Sequence, residues 1–135
     1  LKLAFITTGL VGIIMILLII FTPNTLANIF LEDNNYKTKE IVLKFATYIW
    51  IIFLFDGFNL VISSYLTAIH KPMASMIIAV SRSFIFPIFF IFTLPFFFNL
   101  NGIFMAIPMA EFMTFIIAVI LFKNFSPRKI IYKEV

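Results

Sequence analysis

The chain has 135 residues, of which 63% are hydrophobic and only 12% are charged, and its net charge is +4. An ordinary soluble domain is about 45–50% apolar and about 25% charged, so this chain lacks the polar residues that would cover a surface in water. Composition therefore excludes a soluble domain and predicts an all-α membrane protein, whose apolar surface faces lipid.

Four segments are apolar enough to cross the membrane, since a helix needs about 20 apolar residues to cover the hydrocarbon of a bilayer. The sequence predicts these four transmembrane helices at about residues 3–21, 45–69, 73–98 and 102–122. The link after the first span holds the apolar stretch LANIF, which predicts a short interfacial helix at about residues 24–31. The links HKP and NLNG are short, so we expect the last three spans to pack as antiparallel neighbours.

Basic residues indicate the orientation of the chain in the membrane. Four spans place both ends of the chain on one side, together with the HKP turn. The basic residues expected on that side are Lys2, Lys71, Lys123, Arg128, Lys129 and Lys133. By the positive-inside rule, we expect both termini in the cytoplasm. Because the sequence begins at Leu1 without signal-peptide features, we also expect an N-terminal part of the same chain to precede it.

Small residues recur at every fourth position in three of the spans, a spacing that lets helix backbones approach closely in lipid. They are Ala4, Thr8 and Gly12 in the first span, Ser75, Ala79 and Ser83 in the third, and Gly102, Ala106, Ala110, Thr114 and Ala118 in the last. We expect each of these faces to pack against protein. Pro87, Pro95 and Pro108 are expected to bend their helices.

Three side chains that are charged at neutral pH lie well inside the spans, namely Asp56, Arg82 and Glu111. Each costs about 2.5–3.5 kcal/mol at the bilayer centre on insertion scales, so each needs a partner, water or a function. Helical rise places Asp56 about 19 Å and Arg82 about 15 Å from the HKP turn, which allows an ion pair between them. Glu111 lies about 15 Å and Arg82 about 25 Å from the NLNG turn, so that pair is expected to match less well.

A polar stripe leads from Asp56 toward the HKP turn. At about 100° per residue, its members share one face of the second span. They are Asp56, Asn59, Ser63, Thr67 and His70. Such a stripe is typical of the wall of a water-filled cavity or ion pathway, and charged residues inside a membrane are functional by default.

A structural interpretation of the same charges stays open. Asp56 can be locked to Arg82 or hydrogen-bonded to Asn59. Glu111 can be held by a hydrogen bond to Thr114 or to another helix. Arg82 can instead extend its side chain toward the cytoplasmic headgroups, as long basic side chains do near helix ends.

Motifs of soluble enzymes are missing from the sequence. It has no G-x-x-x-x-G-K-[ST], no G-x-G-x-x-G after a strand and no H-E-x-x-H, and it holds one His and no Cys. These residues leave no cluster of metal ligands. The basic tail FKNFSPRKIIYKEV follows a span, so we expect it to contact anionic lipid rather than nucleic acid. The sequence therefore predicts neither an enzyme nor a nucleic-acid-binding protein.

Three motifs stand at the links between the spans. F-x-P-x-x-x-x-x-I-F closes the first span, and A-I-x-K-P precedes a small residue two positions on. L-P-x-x-x-x-x-x-G-I-[FW]-x-A-x-P-x-[AS]-E begins the last span. In this order, over nearly the whole chain, the motifs resemble the last four helices of a multidrug and toxin extrusion (MATE) transporter of the bacterial multidrug-resistance branch. The chain departs from a common family pattern at Ile69 and His70, where a glycine is frequent.

The resemblance implies a twelve-helix protein of two six-helix lobes in the bacterial plasma (inner) membrane, with these spans as helices nine to twelve. It implies a secondary active antiporter, which exports cationic amphipathic drugs or organic compounds against an inward flow of Na⁺ or H⁺, with no other cofactor. Without the rest of the protein, this chain is not expected to transport alone.

The resemblance also directs attention to one carboxylate. In some members an acidic residue on the tenth helix contributes to a cation site in the C-terminal lobe, and Asp56 lies close to that place. Asp56 is therefore expected to exchange a proton or to bind Na⁺, together with oxygens such as those of Asn59 and Ser63. Arg82 and Glu111 are further candidates for the cation or substrate pathway.

Two other functions fit the same composition. A flippase of the same superfamily would move a lipid or a lipid-linked sugar, but such proteins tend to need several basic residues in a central cavity, and the spans offer one arginine. A membrane scaffold subunit that does not transport would use the three charges only to specify helix pairing.

Overall fold

The computed structural model describes residues 1–23, 25 and 36–126. Within this part of the chain, four helices are long and apolar enough to cross a membrane. They are α1 (Lys2–Phe21), α2 (Tyr36–Ala68), α3 (Pro72–Phe98) and α4 (Leu100–Asn124). The described residues include no strand, and the predicted all-α membrane fold is confirmed. The interfacial helix predicted at about residues 24–31 lies, apart from Thr25, outside the described residues.

Helix α2 packs against each of the other three helices. Its contact with α1 depends on small residues, because a Cβ atom on Gly12 would lie 2.7 Å from the carbonyl oxygen of Phe53. A Cβ atom on Gly57 would likewise collide with the side chain of Thr8. The small-residue face of the first span therefore packs against protein, as predicted.

The small-residue face of α4 is also buried. Its members are Gly102, Ala106, Ala110, Thr114 and Ala118. At the start of the helix, a Cβ atom on Gly102 would lie 2.5 Å from the carbonyl carbon of Leu94. The absence of a side chain at Gly102 thus lets α4 pack directly on the backbone of α3.

The packing face predicted for α3 is confirmed at Ser75, whose hydroxyl lies 2.7 Å from that of Ser63 on α2, but it is wrong for the other two residues. Ala79 and Ser83 are exposed, whereas Ala74 and Ile78 are buried in a core with Ile62. The buried face is rotated by one residue from the small-residue stripe, because Ile78 of α3 fills the space in this core between Ile62 of α2 and Ala118 of α4. Spacing of small residues alone therefore gave the wrong rotation for this helix.

One turn of α3, Ser81–Ile85, is π-helical and lies between α-helical stretches at Pro72–Val80 and Phe86–Phe98. The N–H of Phe86 donates to the carbonyl of Ser81, five residues earlier. Pro87 follows directly, and its ring would crowd the carbonyl of an ordinary α-helical turn before it. A wider turn accommodates this ring, and the same turn carries Arg82.

The HKP turn ends α2 on a residue in the left-handed conformation, His70, with φ of 56°. The N–H of His70 donates to the carbonyl of Thr67 at 3.1 Å, and the N–H of Lys71 donates to that of Leu66 at 2.9 Å. These two bonds form the Schellman motif that closes many helices. Glycine adopts this conformation without the steric cost of a side chain, so His70 carries a cost that a glycine at this position would avoid.

Apolar side chains cover the outer surface of the four helices. None of the residues of α1 is buried, and large side chains such as Phe21, Phe84 and Phe96 are exposed. So much exposed apolar surface is stable only where lipid or other membrane helices cover it. The described helices therefore belong in a bilayer.

Candidate functional site

Helices α2, α3 and α4 each contribute one charged side chain to a single cluster. Arg82 Nε donates to Glu111 Oε1 at 2.8 Å, and Arg82 Nη2 donates to Asp56 Oδ1. The guanidinium of Arg82 thus bridges two carboxylates from two different helices. With both carboxylates ionised, the cluster carries a net charge of one negative unit.

Two expectations about Arg82 have opposite outcomes. The ion pair with Asp56 that the helix depths allowed is present. The alternative in which Arg82 extends toward the headgroups is wrong, because its guanidinium turns to the carboxylates of the neighbouring helices. The attraction between the guanidinium and two nearby carboxylates is stronger than the hydration that the guanidinium would gain in the headgroup region.

The expectation that Glu111 and Arg82 match poorly in depth is also wrong. The contact of Gly102 with Leu94 shows that α4 begins level with the last turns of α3, not beyond its end. From that level, Glu111 lies about 13 Å along α4 and Arg82 about 18 Å along α3. The long side chain of Arg82 spans the remaining difference of about 5 Å.

The two carboxylates differ in how firmly the protein holds them. The side chain of Glu111 is 7% exposed, and both of its oxygens accept hydrogen bonds, from Arg82 Nε and from Asn59 Nδ2. The side chain of Asp56 is 35% exposed, and among the described residues only Arg82 donates to it. Asp56 is therefore the more exposed and the less firmly held of the two carboxylates.

Asn59 is fully buried beside this cluster. Its Nδ2 donates to Glu111 Oε2 at 2.9 Å and to the backbone carbonyl of Glu111 at 3.1 Å. Its Oδ1 is buried without a hydrogen-bond partner in the described part of the chain. A buried polar atom of this kind costs about 1–3 kcal/mol, and it offers an oxygen ligand next to the two carboxylates.

Of the hydrogen bonds considered for Asp56 and Glu111, the one from another helix to Glu111 is confirmed, and those between Asn59 and Asp56 and between Thr114 and Glu111 are wrong. Asn59 bonds to Glu111 and not to Asp56, so the bond to Glu111 comes from another helix. Thr114 donates instead to the carbonyl of Ala110 in its own helix, at 2.8 Å. Thr114 therefore takes no part in the charged cluster.

Ser63 lies on the same stripe but belongs to a second polar group. Its hydroxyl lies 2.7 Å from the hydroxyl of Ser75, to which Thr67 Oγ1 also donates at 2.9 Å. The structure thus brings together Asp56, Asn59, Arg82 and Glu111 but not Ser63. The stripe from Asn59 to Thr67 packs against α3 and α4, so much of it is a helix interface rather than the wall of an open cavity.

An apolar cavity of about 150 Å³ lies between α2 and α4. Its lining residues are Tyr48, Ile51, Phe55, Met105, Pro108, Met109 and Phe112. Phe55 and Phe112 are the sequence neighbours of Asp56 and Glu111. Aromatic rings and methionine side chains of this kind suit an apolar or aromatic ligand.

The described residues contain no group of three His, Cys, Asp or Glu side chains that converge on one point. A transition-metal site would need such a group. The oxygens of Asp56 and Asn59 suit a hard monovalent cation or a proton instead, because such cations prefer oxygen ligands.

Together, membrane-crossing helices and an ion-paired cluster of charges inside them define an integral membrane protein with an intramembrane polar site. The MatE family model matches residues 1–93, well over half of the chain. The chain therefore belongs to the MatE family, whose members are membrane efflux transporters rather than enzymes, and the predicted resemblance is confirmed. The match includes Asp56, Asn59 and Arg82 and ends before Glu111. No curated protein and no solved structure matches the chain.

Proposed function

We propose that this chain forms helices nine to twelve of a two-lobe antiporter that exports cationic amphipathic compounds in exchange for Na⁺ or H⁺. The observation that carries the proposal is Asp56, a partly exposed carboxylate within a membrane-crossing helix that Arg82 alone engages among the described residues. An accessible carboxylate at this depth carries a free-energy cost, and such residues in membrane helices usually mark a functional site.

The chemistry of the proposed exchange follows from the charge of the cluster. With one guanidinium and two carboxylates, the cluster attracts a cation, and a single monovalent cation or proton at Asp56 neutralises it. Loading the site therefore changes the charge of the lobe, which biases the equilibrium between its inward-open and outward-open states. A cationic substrate and the coupling ion compete for the same negative charge, so that binding of one favours release of the other.

The apolar cavity between α2 and α4 supports the amphipathic part of the proposal. A substrate with a positive group and an aromatic body needs a negative charge and an apolar surface near each other. The cavity is lined by the neighbours of Asp56 and Glu111 in sequence. Its volume of about 150 Å³ fits part of a drug-sized molecule, since whole ligand pockets measure about 300–1,000 Å³.

The proposed setting is the bacterial inner membrane, with both ends of the chain on the cytoplasmic side. The basic residues at the HKP turn and at the chain ends support this orientation. Arg82, the arginine within the described spans, is engaged by two carboxylates. This pairing disfavours a lipid flippase, which would need basic groups free to bind phosphate.

Transport by the full-length protein in inverted membrane vesicles tests the proposal. Wild-type vesicles should accumulate ethidium when a Na⁺ or H⁺ gradient is imposed, and Asp56→Asn should abolish this uptake while the protein still reaches the membrane. Ser64→Ala is the matched control, because Ser64 is an exposed hydroxyl residue on the same helix. Uptake that survives in Asp56→Asn would remove the coupling role of Asp56. A wild-type protein that moves lipid-linked sugar but not ethidium would be a flippase, and one that moves neither would be a scaffold.

A further inference from the structure

We propose that Arg82 sets the number of cations that the site takes in each transport cycle, by acting as a tethered positive charge that offsets one of the two carboxylates. The inference rests on the proposed antiport function and assigns a specific role within it. Arg82 does not bind the transported ion in this proposal. It determines how much negative charge is left for that ion to neutralise.

The anchor of Arg82 is Glu111. Arg82 Nε donates to Glu111 Oε1 at 2.8 Å, and Asn59 occupies the other oxygen of Glu111 at 2.9 Å. Glu111 is nearly buried, so water does not compete strongly for its charge. A charge-assisted bond at a desolvated site is strong, and this one holds the guanidinium in place while the other end of Arg82 is free to exchange.

The exchanging end is the contact with Asp56. It involves the terminal Nη2 of Arg82, and both side chains are about one-third exposed, at 30% for Arg82 and 35% for Asp56. The guanidinium can therefore tilt away from Asp56 without leaving Glu111. A cation at Asp56 then takes the place of Nη2, and departure of the cation lets Nη2 return.

The π-helical turn places Arg82 where both contacts are made. Its extra residue widens α3 at Ser81–Ile85 and changes the direction of the side chains in that turn. Ser83, in the same turn, is exposed and takes no part in the side-chain hydrogen bonds of the cluster. This neighbour makes a matched control for substitutions of Arg82.

Other charged groups in the described residues are too far along the helices to alter the local balance. The nearest charged residue on α2 lies about 18 Å from Asp56 along that helix, the one at the HKP turn lies about 16 Å from Arg82 along α3, and the nearest on α4 lies about 18 Å from Glu111, each far beyond the length of an ion-pair contact. They are Lys44, Lys71 and Lys123, and the charged residue of α1 is Lys2 at its start. The cluster therefore keeps a net charge of one negative unit, and removal of the Arg82 charge would leave two.

The predicted consequence is a change in coupling stoichiometry. Arg82→Gln should make the site take one additional monovalent cation per exported ethidium. That additional cation makes the exchange carry one more net charge across the membrane than in the wild type. The double variant Arg82→Gln with Glu111→Gln restores the net charge of the cluster, and it should restore the wild-type stoichiometry.

The experiment uses the full-length transporter in proteoliposomes with a fixed Na⁺ or H⁺ gradient and a membrane potential imposed by K⁺ and valinomycin. The measured quantity is the ethidium gradient at which net ethidium flux is zero, as a function of the potential. Arg82→Gln should shift the charge moved per cycle by one unit from the wild-type value. Arg82→Lys and Ser83→Gln leave the net charge of the cluster unchanged. Both variants should therefore keep the wild-type charge per cycle, even if their transport rates differ from that of the wild type.

A transporting Arg82→Gln variant with the wild-type charge per cycle would overturn the inference and leave the antiport proposal standing. If Arg82→Gln does not reach the membrane, Glu111→Gln decides, because it leaves Arg82 and Asp56 with no net charge. The charge moved per cycle by Glu111→Gln should then change by one unit in the opposite direction, and an unchanged charge per cycle overturns the inference. A wild-type protein without cation-driven ethidium transport would instead overturn the proposed function, and the inference with it.

Discussion

The hydrogen bonds between Asn59 and Glu111 lead to a stability prediction that distinguishes this site from an ordinary contact between membrane helices. Asn59 is fully buried, and its Nδ2 lies 2.9 Å from an oxygen of a carboxylate that is 7% exposed. Side-chain hydrogen bonds between helices in a bilayer contribute about 0.6 kcal/mol on average. A hydrogen bond to a charged group contributes about 1.5–3 kcal/mol, and the charge of Glu111 places this bond in the higher range.

The single variant Asn59→Leu would hide this contribution. Leucine removes the donor to Glu111, which destabilises the protein, but it also removes the unpaired Oδ1, whose burial costs about 1–3 kcal/mol. Because the two effects have opposite signs, we expect a small net change in the free energy of unfolding. A double-mutant cycle with Glu111→Met isolates the interaction, and its coupling energy should be about 1.5–3 kcal/mol.

The cycle is measured on the full-length protein by equilibrium unfolding in mixed micelles of a mild detergent and dodecyl sulfate. A control cycle pairs Asn59→Leu with Thr93→Val, because Thr93 Oγ1 bonds only to the carbonyl of Phe89 in its own helix. The control cycle should show no coupling within about 0.5 kcal/mol. A coupling energy between Asn59 and Glu111 at or below about 0.6 kcal/mol would refute the reasoning, because the bond would then be no stronger than an ordinary interhelical contact.

Three further substitutions have expected outcomes. Gly102→Val should destabilise the protein by about 1–3 kcal/mol, because its Cβ atom would lie 2.5 Å from the carbonyl carbon of Leu94. Gly9→Val should destabilise the protein less, because the nearest atom to its Cβ would lie 3.8 Å away. Equal melting temperatures of the two variants would contradict this packing. His70→Gly should raise the free energy of unfolding by up to about 1 kcal/mol, because glycine adopts the left-handed conformation at less cost. A lower free energy of unfolding in this variant would contradict the Schellman geometry. Ser75→Ala should lower the free energy of unfolding by about 0.6 kcal/mol per lost hydroxyl bond. It should leave the charge moved per transport cycle unchanged, because the hydroxyl of Ser75 is separate from the Arg82 cluster. A changed charge per cycle would contradict that separation.

The sequence was sufficient to predict the four membrane-crossing helices, because hydropathy over about 20 residues is a local property. The buried face of α4 was also predictable, since small residues at every fourth position mark a close helix contact. The corresponding face of α3 was not predictable. The rotation of a helix depends on which neighbour packs against it, and in α3 Ala74 and Ile78 face the core while Ala79 and Ser83 are exposed.

The candidate site was predictable only in part. The HKP link is so short that helical rise alone brings Asp56 and Arg82 to similar depths. The same count failed for Glu111, because it could not include the overlap of Gly102 with Leu94, the π-helical turn or the reach of an arginine side chain. The bond from Asn59 to Glu111 was missed for the same reason, since it joins residues far apart in sequence.

In the proposed exchange, Asp56 binds the coupling cation and a cationic substrate displaces it. The most direct measurement is the amount of cation, ²²Na⁺ or protons, released when ethidium is added to the purified full-length protein in a weakly buffered medium. We predict release of about one cation per cluster from the wild type and from Ser64→Ala, and none from the cluster in Asp56→Asn. Equal release from Asp56→Asn and the wild type would contradict the claim and assign Asp56 to a structural ion pair with Arg82.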